Sequence, residues 1–226
     1  MIKAGKTYFW LFLFGVAMGV LETVVVVYLR QLYYPLGFDF PLKAMDPRMV
    51  SIEILREAAT LVMLVVVGVL AGGTRLRSFA FFLFCFGCWD IFYYLGLKCF
   101  LDWPTSFLAW DILFLIPVTW VGPVLAPLIC SLTMMGLSVA MVSAESRAGG
   151  NALSTLEWEL IFSGAFCIFS AFIWDFAVLI IEGGFPEAVS RYTPERFHWF
   201  LFFCGELMII AAMGSLVRKA RARSAS

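Results

Sequence analysis

Several carboxylates stand inside stretches of sequence that are otherwise apolar, and these side chains are the ones that could do chemistry. The set comprises Glu22, Glu57, Asp90, Asp111, Asp175 and Glu206, with Arg56 adjacent to Glu57. A charged group at the centre of a bilayer costs roughly 2.5–3.5 kcal/mol even on the milder insertion scales, so each needs a partner, a proton or water. Buried carboxylates of this kind bind cations or carry protons, and we take these residues as the candidate substrate or ion site.

Two arrangements would relieve these charges. Arg56 enters its apolar stretch from the same side as Glu57, and its guanidinium can hold a carboxylate through two hydrogen bonds. Glu22 and Asp90 are the carboxylates that we expect it to approach. Alternatively, burial keeps the acids protonated at neutral pH, which is the state that proton-coupled transport uses.

Aromatic residues accompany the carboxylates. Tryptophan directly precedes aspartate three times, at Trp89, Trp110 and Trp174. Indole rings attract cations over their faces, so together with the acids they favour a cationic or polar amphiphilic ligand. The supporting residues that we predict are Trp89, Tyr94, Trp110, Trp174 and His198.

The elements that must position these side chains are membrane-spanning helices. The chain is 62% hydrophobic and 14% charged, which is far from the composition of a soluble domain. Apolar segments near the roughly 20 residues that cross a bilayer run over 7–30, 52–73, 78–100, 109–142, 156–181 and 197–217. The sequence therefore predicts an all-α integral membrane protein with a bundle of about six transmembrane helices. Alternating chain direction brings the acids together near the middle and the outer mouth of this bundle.

The fourth segment is too long for a simple span. It contains three prolines and Gly122 within the stretch IPVTWVGPVLAP, and each proline removes a backbone donor that lipid cannot replace. The sequence predicts a long fourth helix that is broken here. Gly122 and Pro123 are the predicted hinge, since broken helices line binding sites in transporters.

The distribution of basic residues predicts the topology. Four arginines and lysines follow the last apolar segment directly, and others occupy the loops on the same side. Positively charged loops stay in the cytoplasm. We expect one polytopic domain over 1–217, a short basic cytoplasmic tail over 218–226, and both termini on the cytoplasmic side of the inner (cytoplasmic) membrane.

Composition also excludes several classes of function. Lys plus Arg equals Asp plus Glu, at 16 each, so there is no net charge to attract nucleic acid. A single histidine cannot supply a bis-histidine haem or a histidine-rich metal site. Cys85 and Cys88 lie within one apolar helix, where metal or redox use is disfavoured. We expect no cofactor and no bound metal.

Three functions remain open. An outward-facing carboxylate pocket favours a transporter or channel for a small polar, cationic or amphiphilic solute, with proton coupling. An accessory or anchor subunit of a membrane complex, and an intramembrane enzyme acting on a lipid or isoprenoid, are the alternatives. No catalytic residues can be assigned, and whether the chain is an enzyme stays open. Besides the bilayer and a small ligand, a second copy of the chain or a complex subunit is a candidate partner. Gly15 and Gly19 form a close-packing face for another helix, either within the chain or in a second copy.

Overall fold

Six helices and one short hairpin make up the computed structural model, which describes residues 2–43, 45–148, 152–181 and 192–225. In chain order the elements are α1 (Ile2–Tyr33), α2 (Pro47–Gly72), α3 (Arg75–Leu101), β1 (Trp110–Phe114), β2 (Trp120–Pro123), α4 (Leu125–Ala148), α5 (Thr155–Ile181) and α6 (Trp199–Ala225). All six helices are long and apolar enough to cross a membrane. The predicted six-helix membrane bundle is confirmed.

Local sequence signals set the helix ends. Asp46 accepts a hydrogen bond from the Arg48 amide, and Pro47 follows as the first residue of α2. Proline suits that position because its missing N–H has no partner in the first turn. Gly73, with φ of 75°, ends α2 in the left-handed conformation that glycine adopts without strain. The chain then turns directly into α3.

The helices form two groups that are joined through α4. Helix α3 packs against α1, α2 and α4, while α4 also packs against α6, and α6 packs against α5. We call the end of the bundle that holds both chain termini the terminal end, and the opposite end the hairpin end. Arg77 at the start of α3 meets Glu145 near the end of α4, and Arg147 of α4 meets Ala220 near the end of α6. The start of α3 and the ends of α4 and α6 therefore share the terminal end.

Close helix contacts depend on glycine. A Cβ at Gly19 would lie 2.7 Å from the Trp89 carbonyl oxygen, and one at Gly15 would lie 2.5 Å from Cβ of Cys88. Small residues let helix backbones approach in this way in membranes. The Gly15 and Gly19 face is therefore occupied by α3 within the chain, and it is not available for pairing α1 with a second copy.

The backbone of the fourth apolar segment differs from the broken helix that the sequence predicted. The break is present, but its first part is the antiparallel hairpin β1–β2 rather than a helix, and α4 begins only at Leu125. Pro117 and Pro123 cannot donate the hydrogen bonds of a continuous helix, whereas a strand pair accommodates them at its tip and its end. Gly122 and Pro123 thus lie in β2. Their proposed role as a hinge stays a prediction.

The hairpin re-enters the bundle instead of lying on its surface. Phe114 packs its ring 6.0 Å from that of Phe86 in α3, and Trp120 packs 5.0 Å from Phe169 in α5. Phe86 lies 15 residues before the end of α3, which at 1.5 Å per residue is about 22 Å. The tip of the hairpin therefore reaches deep between the two helix groups. Non-helical backbone is tolerated at such depth only when protein surrounds it.

Helix α6 continues to Ala225. The basic residues of the predicted tail over 218–226 therefore continue this helix, and their cytoplasmic location stays a prediction.

Candidate functional site

Three glutamates surround one arginine near the hairpin end. Arg56 donates from Nε to Glu53 at 2.7 Å and from Nη1 to both carboxylate oxygens of Glu22, and its Nη2 lies 3.9 Å from Oε1 of Glu57. The side chains of Glu53 and Glu57 are buried, and those of Arg56 and Glu22 are 22% and 13% exposed. We call Glu22, Glu53, Arg56 and Glu57 the Arg56 cluster. It consists of three carboxylates and one guanidinium group.

Helical spacing explains the cluster. Glu53, Arg56 and Glu57 stand at positions i, i+3 and i+4 of α2, which places them on one face. Glu22 comes from α1. Helices α1 and α2 both pack on α3. The ion pair between Glu22 and Arg56 connects α1 to α2.

Glu57 also holds the tip of the hairpin. Both of its carboxylate oxygens accept from the Leu115 amide, at 3.1 and 2.9 Å. On the other side of the tip, the Trp120 indole donates to the Ile116 carbonyl at 2.8 Å. Two side chains therefore satisfy backbone groups that a strand pair leaves open at its turn. Glu57 joins the Arg56 cluster to the re-entrant hairpin.

A second ion pair lies at the open end of the hairpin. Arg30 donates from Nη2 to Asp111 at 3.0 Å, and Tyr94 donates to the other oxygen of Asp111 at 3.2 Å. The Arg30 guanidinium lies over the rings of Trp103, at 3.8 Å, and Phe38, at 4.5 Å. Its Nη1 is buried and has no hydrogen-bond partner among the described residues. Burial raises the pKa of Asp111 to about 6, while Arg30 opposes that rise.

Asp90 and Glu206 bond to hydroxyl groups on α4 and not to a cation. Ser131 donates to Asp90 at 2.7 Å, and Thr133 donates to Oε2 of Glu206 at 2.7 Å. Oε1 of Glu206 is buried and finds no hydrogen-bond partner in the part of the chain that the structure describes, although the Cys130 thiol lies beside this carboxyl group. Neither acid forms an ion pair with any described residue. Their charge is therefore uncompensated unless they carry protons.

Asp175 belongs to a separate and more exposed group. It accepts a hydrogen bond from the Tyr192 hydroxyl at 2.7 Å and lies 3.1 Å from Nε2 of His198. About a third of the Asp175 side chain is exposed. The Trp174 ring packs 5.5 Å from the His198 ring. These residues join the end of α5 to the start of α6 at the hairpin end.

The predicted site residues thus fall into several groups. Glu22, Arg56 and Glu57 meet as expected, and Tyr94 meets Asp111. Asp90, Glu206 and Asp175 occupy separate contacts.

The remaining predicted residues take packing positions in the structure. The Trp110 ring lies 6.4 Å from that of Phe197. Trp89 packs on Phe86, and its buried indole nitrogen has no hydrogen-bond partner within the described ranges. A Cβ at Gly122 would lie 2.7 Å from the Phe172 ring. Close packing against α5 accounts for glycine at this position of β2.

Sequence reasoning left out three charged residues that the structure places in buried pairs. Glu53 follows from the i, i+3 spacing to Arg56, which the sequence already contains. Arg30 stands at the end of an apolar segment, and nothing in the sequence alone places it beside Asp111. Glu157 is 1% exposed, accepts from the Ser154 amide and pairs with Lys219. The signal for Glu157 was the capping box Ser-x-x-Glu at 154–157.

Within the described ranges no group of three or more histidine, cysteine, aspartate or glutamate side chains could hold a metal ion. No protein family, curated protein or solved structure matches the chain. Function is therefore argued from the geometry.

Proposed function

We propose that this multi-pass membrane protein is a transporter that binds a small organic cation at the Arg56 cluster and exchanges it for protons. The observation that carries the proposal is the placement of three carboxylates on one guanidinium, on helices long and apolar enough to span a membrane. Binding sites of transporters contain such intramembrane ionisable groups.

The charge count supports cation binding. When every group is ionised, the Arg56 cluster has two more negative charges than positive ones. An excess of negative charge in a poorly solvated site is unfavourable, and protons or a cation relieve it. The same carboxylates can therefore hold protons when no cation is bound and release them when one arrives. This alternation is the basis of exchange.

Asp90 and Glu206 support proton coupling. Their hydrogen-bond partners are hydroxyl groups, which can accept as well as donate and thus suit a neutral carboxylic acid as well as a carboxylate. A proton removes the desolvation penalty that an isolated ionised carboxylate carries in such surroundings. We take both residues as the proton carriers of the exchange.

Flux into vesicles tests the proposal. The purified protein is reconstituted into proteoliposomes that contain a pH-sensitive dye, and gradients of NaCl, KCl or tetramethylammonium chloride are applied in turn. We expect the tetramethylammonium gradient to change the internal pH more than the NaCl or KCl gradients do. Replacing Glu22→Gln removes a carboxylate from the cluster and should slow this change about tenfold or more, because a charge-assisted contact is worth at least 1.5 kcal/mol.

Glu145→Gln is the matched control. Glu145 also pairs with an arginine, Arg77, but it lies at the terminal end. Its flux should equal that of the unmodified protein. Absence of a tetramethylammonium-dependent pH change, or equal loss in both variants, would contradict the proposal.

A second candidate function is that of a subunit whose charges fix helix packing. The separate contacts of Asp90, Glu206 and Asp175, each with a neighbouring helix or the residues that precede one, favour it. Extraction in a mild detergent distinguishes the two functions. A subunit co-purifies with a stoichiometric partner and tolerates Glu22→Gln, whereas a transporter is active alone and loses activity in that variant.

A further inference from the structure

A groove at the terminal end lies far from the Arg56 cluster. It runs between α4 and α6 and has a volume of about 470 Å³. Its walls are apolar side chains such as Val139 and Met213, and Gly136 and Gly214 keep it open. A Cβ at Gly214 would meet no atom within 4 Å, so this glycine faces open space. The groove therefore has room for a hydrocarbon chain.

Its length also suits such a chain. Gly136 and Arg147 are 11 residues apart on α4, which corresponds to about 16 Å along the helix axis. That distance is roughly the thickness of one leaflet of a bilayer core about 30 Å thick. The groove thus extends from the polar boundary of the membrane toward its middle.

Two arginines close the polar end of the groove. Arg147 and Arg221 both line it, and Arg147 donates from Nη1 to the Ala220 carbonyl at 3.0 Å, which holds its side chain against α6. Neither guanidinium pairs with a carboxylate in the part of the chain that the structure describes. The nearest paired acids of this end, Glu145 and Glu157, already bind Arg77 and Lys219. The polar end is therefore positively charged.

We propose that this groove binds one anionic phospholipid of the surrounding bilayer. Its phosphate lies at Arg147 and Arg221, and one acyl chain lies along Gly136 and Gly214. Arginine binds phosphate oxygens through paired hydrogen bonds, and basic pockets between transmembrane helices recognise anionic lipid head groups. A groove with a basic end and apolar walls matches the two halves of such a lipid. This site is independent of the proposed transport function.

Lipid binding to the full-length protein in detergent tests the proposal. Native mass spectrometry measures the affinity for phosphatidylglycerol and for phosphatidylcholine with identical acyl chains. We expect tighter binding of phosphatidylglycerol, at one lipid per chain. Arg221→Gln removes a charge-assisted contact and should weaken binding of phosphatidylglycerol about tenfold or more.

A second variant tests where the acyl chain lies. Gly214→Leu places a side chain in the groove, and its Cβ would meet no atom within 4 Å, so we expect the fold to be preserved while the acyl chain is excluded. It should weaken the binding of phosphatidylglycerol as strongly as Arg221→Gln does. The matched control is Arg75→Gln, because Arg75 is an exposed arginine at the terminal end that does not line the groove. Its affinity should be unchanged.

Three results would overturn the proposal. Equal affinity for the two lipids would make this a groove for any lipid, without a role for the arginines. Equal weakening by Arg75→Gln would indicate general attraction by surface charge. Undiminished binding to Gly214→Leu would place the lipid elsewhere on the protein.

Discussion

The contact between Glu57 and the hairpin tip gives the sharpest single prediction. Glu57 accepts the Leu115 amide with both oxygens, and no other acceptor of that amide is found among the described residues. Replacing Glu57→Ala leaves a half-buried backbone donor without a partner at a point where water has poor access. The tip of the hairpin should then open more often, while the helices keep their places.

The magnitude follows from the kind of bond that is lost. A hydrogen bond to a charged group contributes about 1.5–3 kcal/mol, and each 1.4 kcal/mol is a tenfold change in an equilibrium. Opening of the tip should therefore become roughly tenfold to a hundredfold more frequent. Glu57→Gln keeps an acceptor oxygen and should give a smaller increase.

Hydrogen–deuterium exchange measures this opening. The peptide that contains Leu115 should exchange faster in Glu57→Ala by the factor given above, and peptides from α5 should exchange as before. Glu145→Ala serves as the control, since Glu145 contacts Arg77 and Thr74 at the terminal end. Unchanged exchange at Leu115 in Glu57→Ala would refute the reasoning that Glu57 holds the hairpin in the bundle.

Three further predictions concern stability, each measured by thermal unfolding in detergent. Arg56→Gln leaves three carboxylates without their cationic partner and should destabilise the fold by about 3–5 kcal/mol. Stability should recover in part at low pH, because the acids become protonated. Full stability at neutral pH would contradict this prediction. Because the pKa of Asp111 is raised from 3.8 to about 6, the folded state binds its proton more tightly than the unfolded state, so its contribution is present below pH 4 and is lost as pH rises through 6. Relative to Asp111→Asn, the unmodified protein should lose on the order of 1–3 kcal/mol over that interval, and parallel pH profiles would count against it. Gly19→Leu should disrupt the contact of α1 with α3, since its Cβ would lie 2.7 Å from the Trp89 carbonyl oxygen. A Cβ at Gly5 would meet no atom within 4 Å, so Gly5→Leu should be tolerated. Equal stability of the two variants would argue against this packing.

Hydropathy predicted the helices well because lipid imposes a simple constraint on sequence. A helix must present some 20 apolar residues to cross the bilayer, and that requirement is visible without knowledge of the tertiary contacts. The hairpin escaped prediction for the same reason. Helices surround the run from Trp110 to Pro123, and its residues are apolar for that reason. The run therefore has the hydropathy of a membrane-spanning segment but the backbone of two strands. Periodicity does not separate a buried strand from a buried helix in so short a run.

The candidate site was predictable where residues share one helix. Arg56 and Glu57 are adjacent in sequence, and the pairing of Arg56 with Glu22 followed from charge and chain direction. Partners that depend on how helices rotate against each other were not accessible. Asp90 was expected near Arg56, yet the structure bonds it to Ser131 of α4. Glycine contacts and aromatic packing set the rotation of α3 about its axis. The positions of charged residues in the sequence do not reveal that rotation.

The most direct test of the central claim is release of protons when the cation binds. The purified protein is placed in weakly buffered detergent solution with a pH indicator, and NaCl, KCl or tetramethylammonium chloride is added. If the Arg56 cluster exchanges protons for an organic cation, tetramethylammonium chloride should acidify the solution in proportion to the protein and more than NaCl or KCl does. Glu22→Gln should release fewer protons than Glu145→Gln. Proton release that is absent with tetramethylammonium, or that is identical in the two variants, would contradict the account.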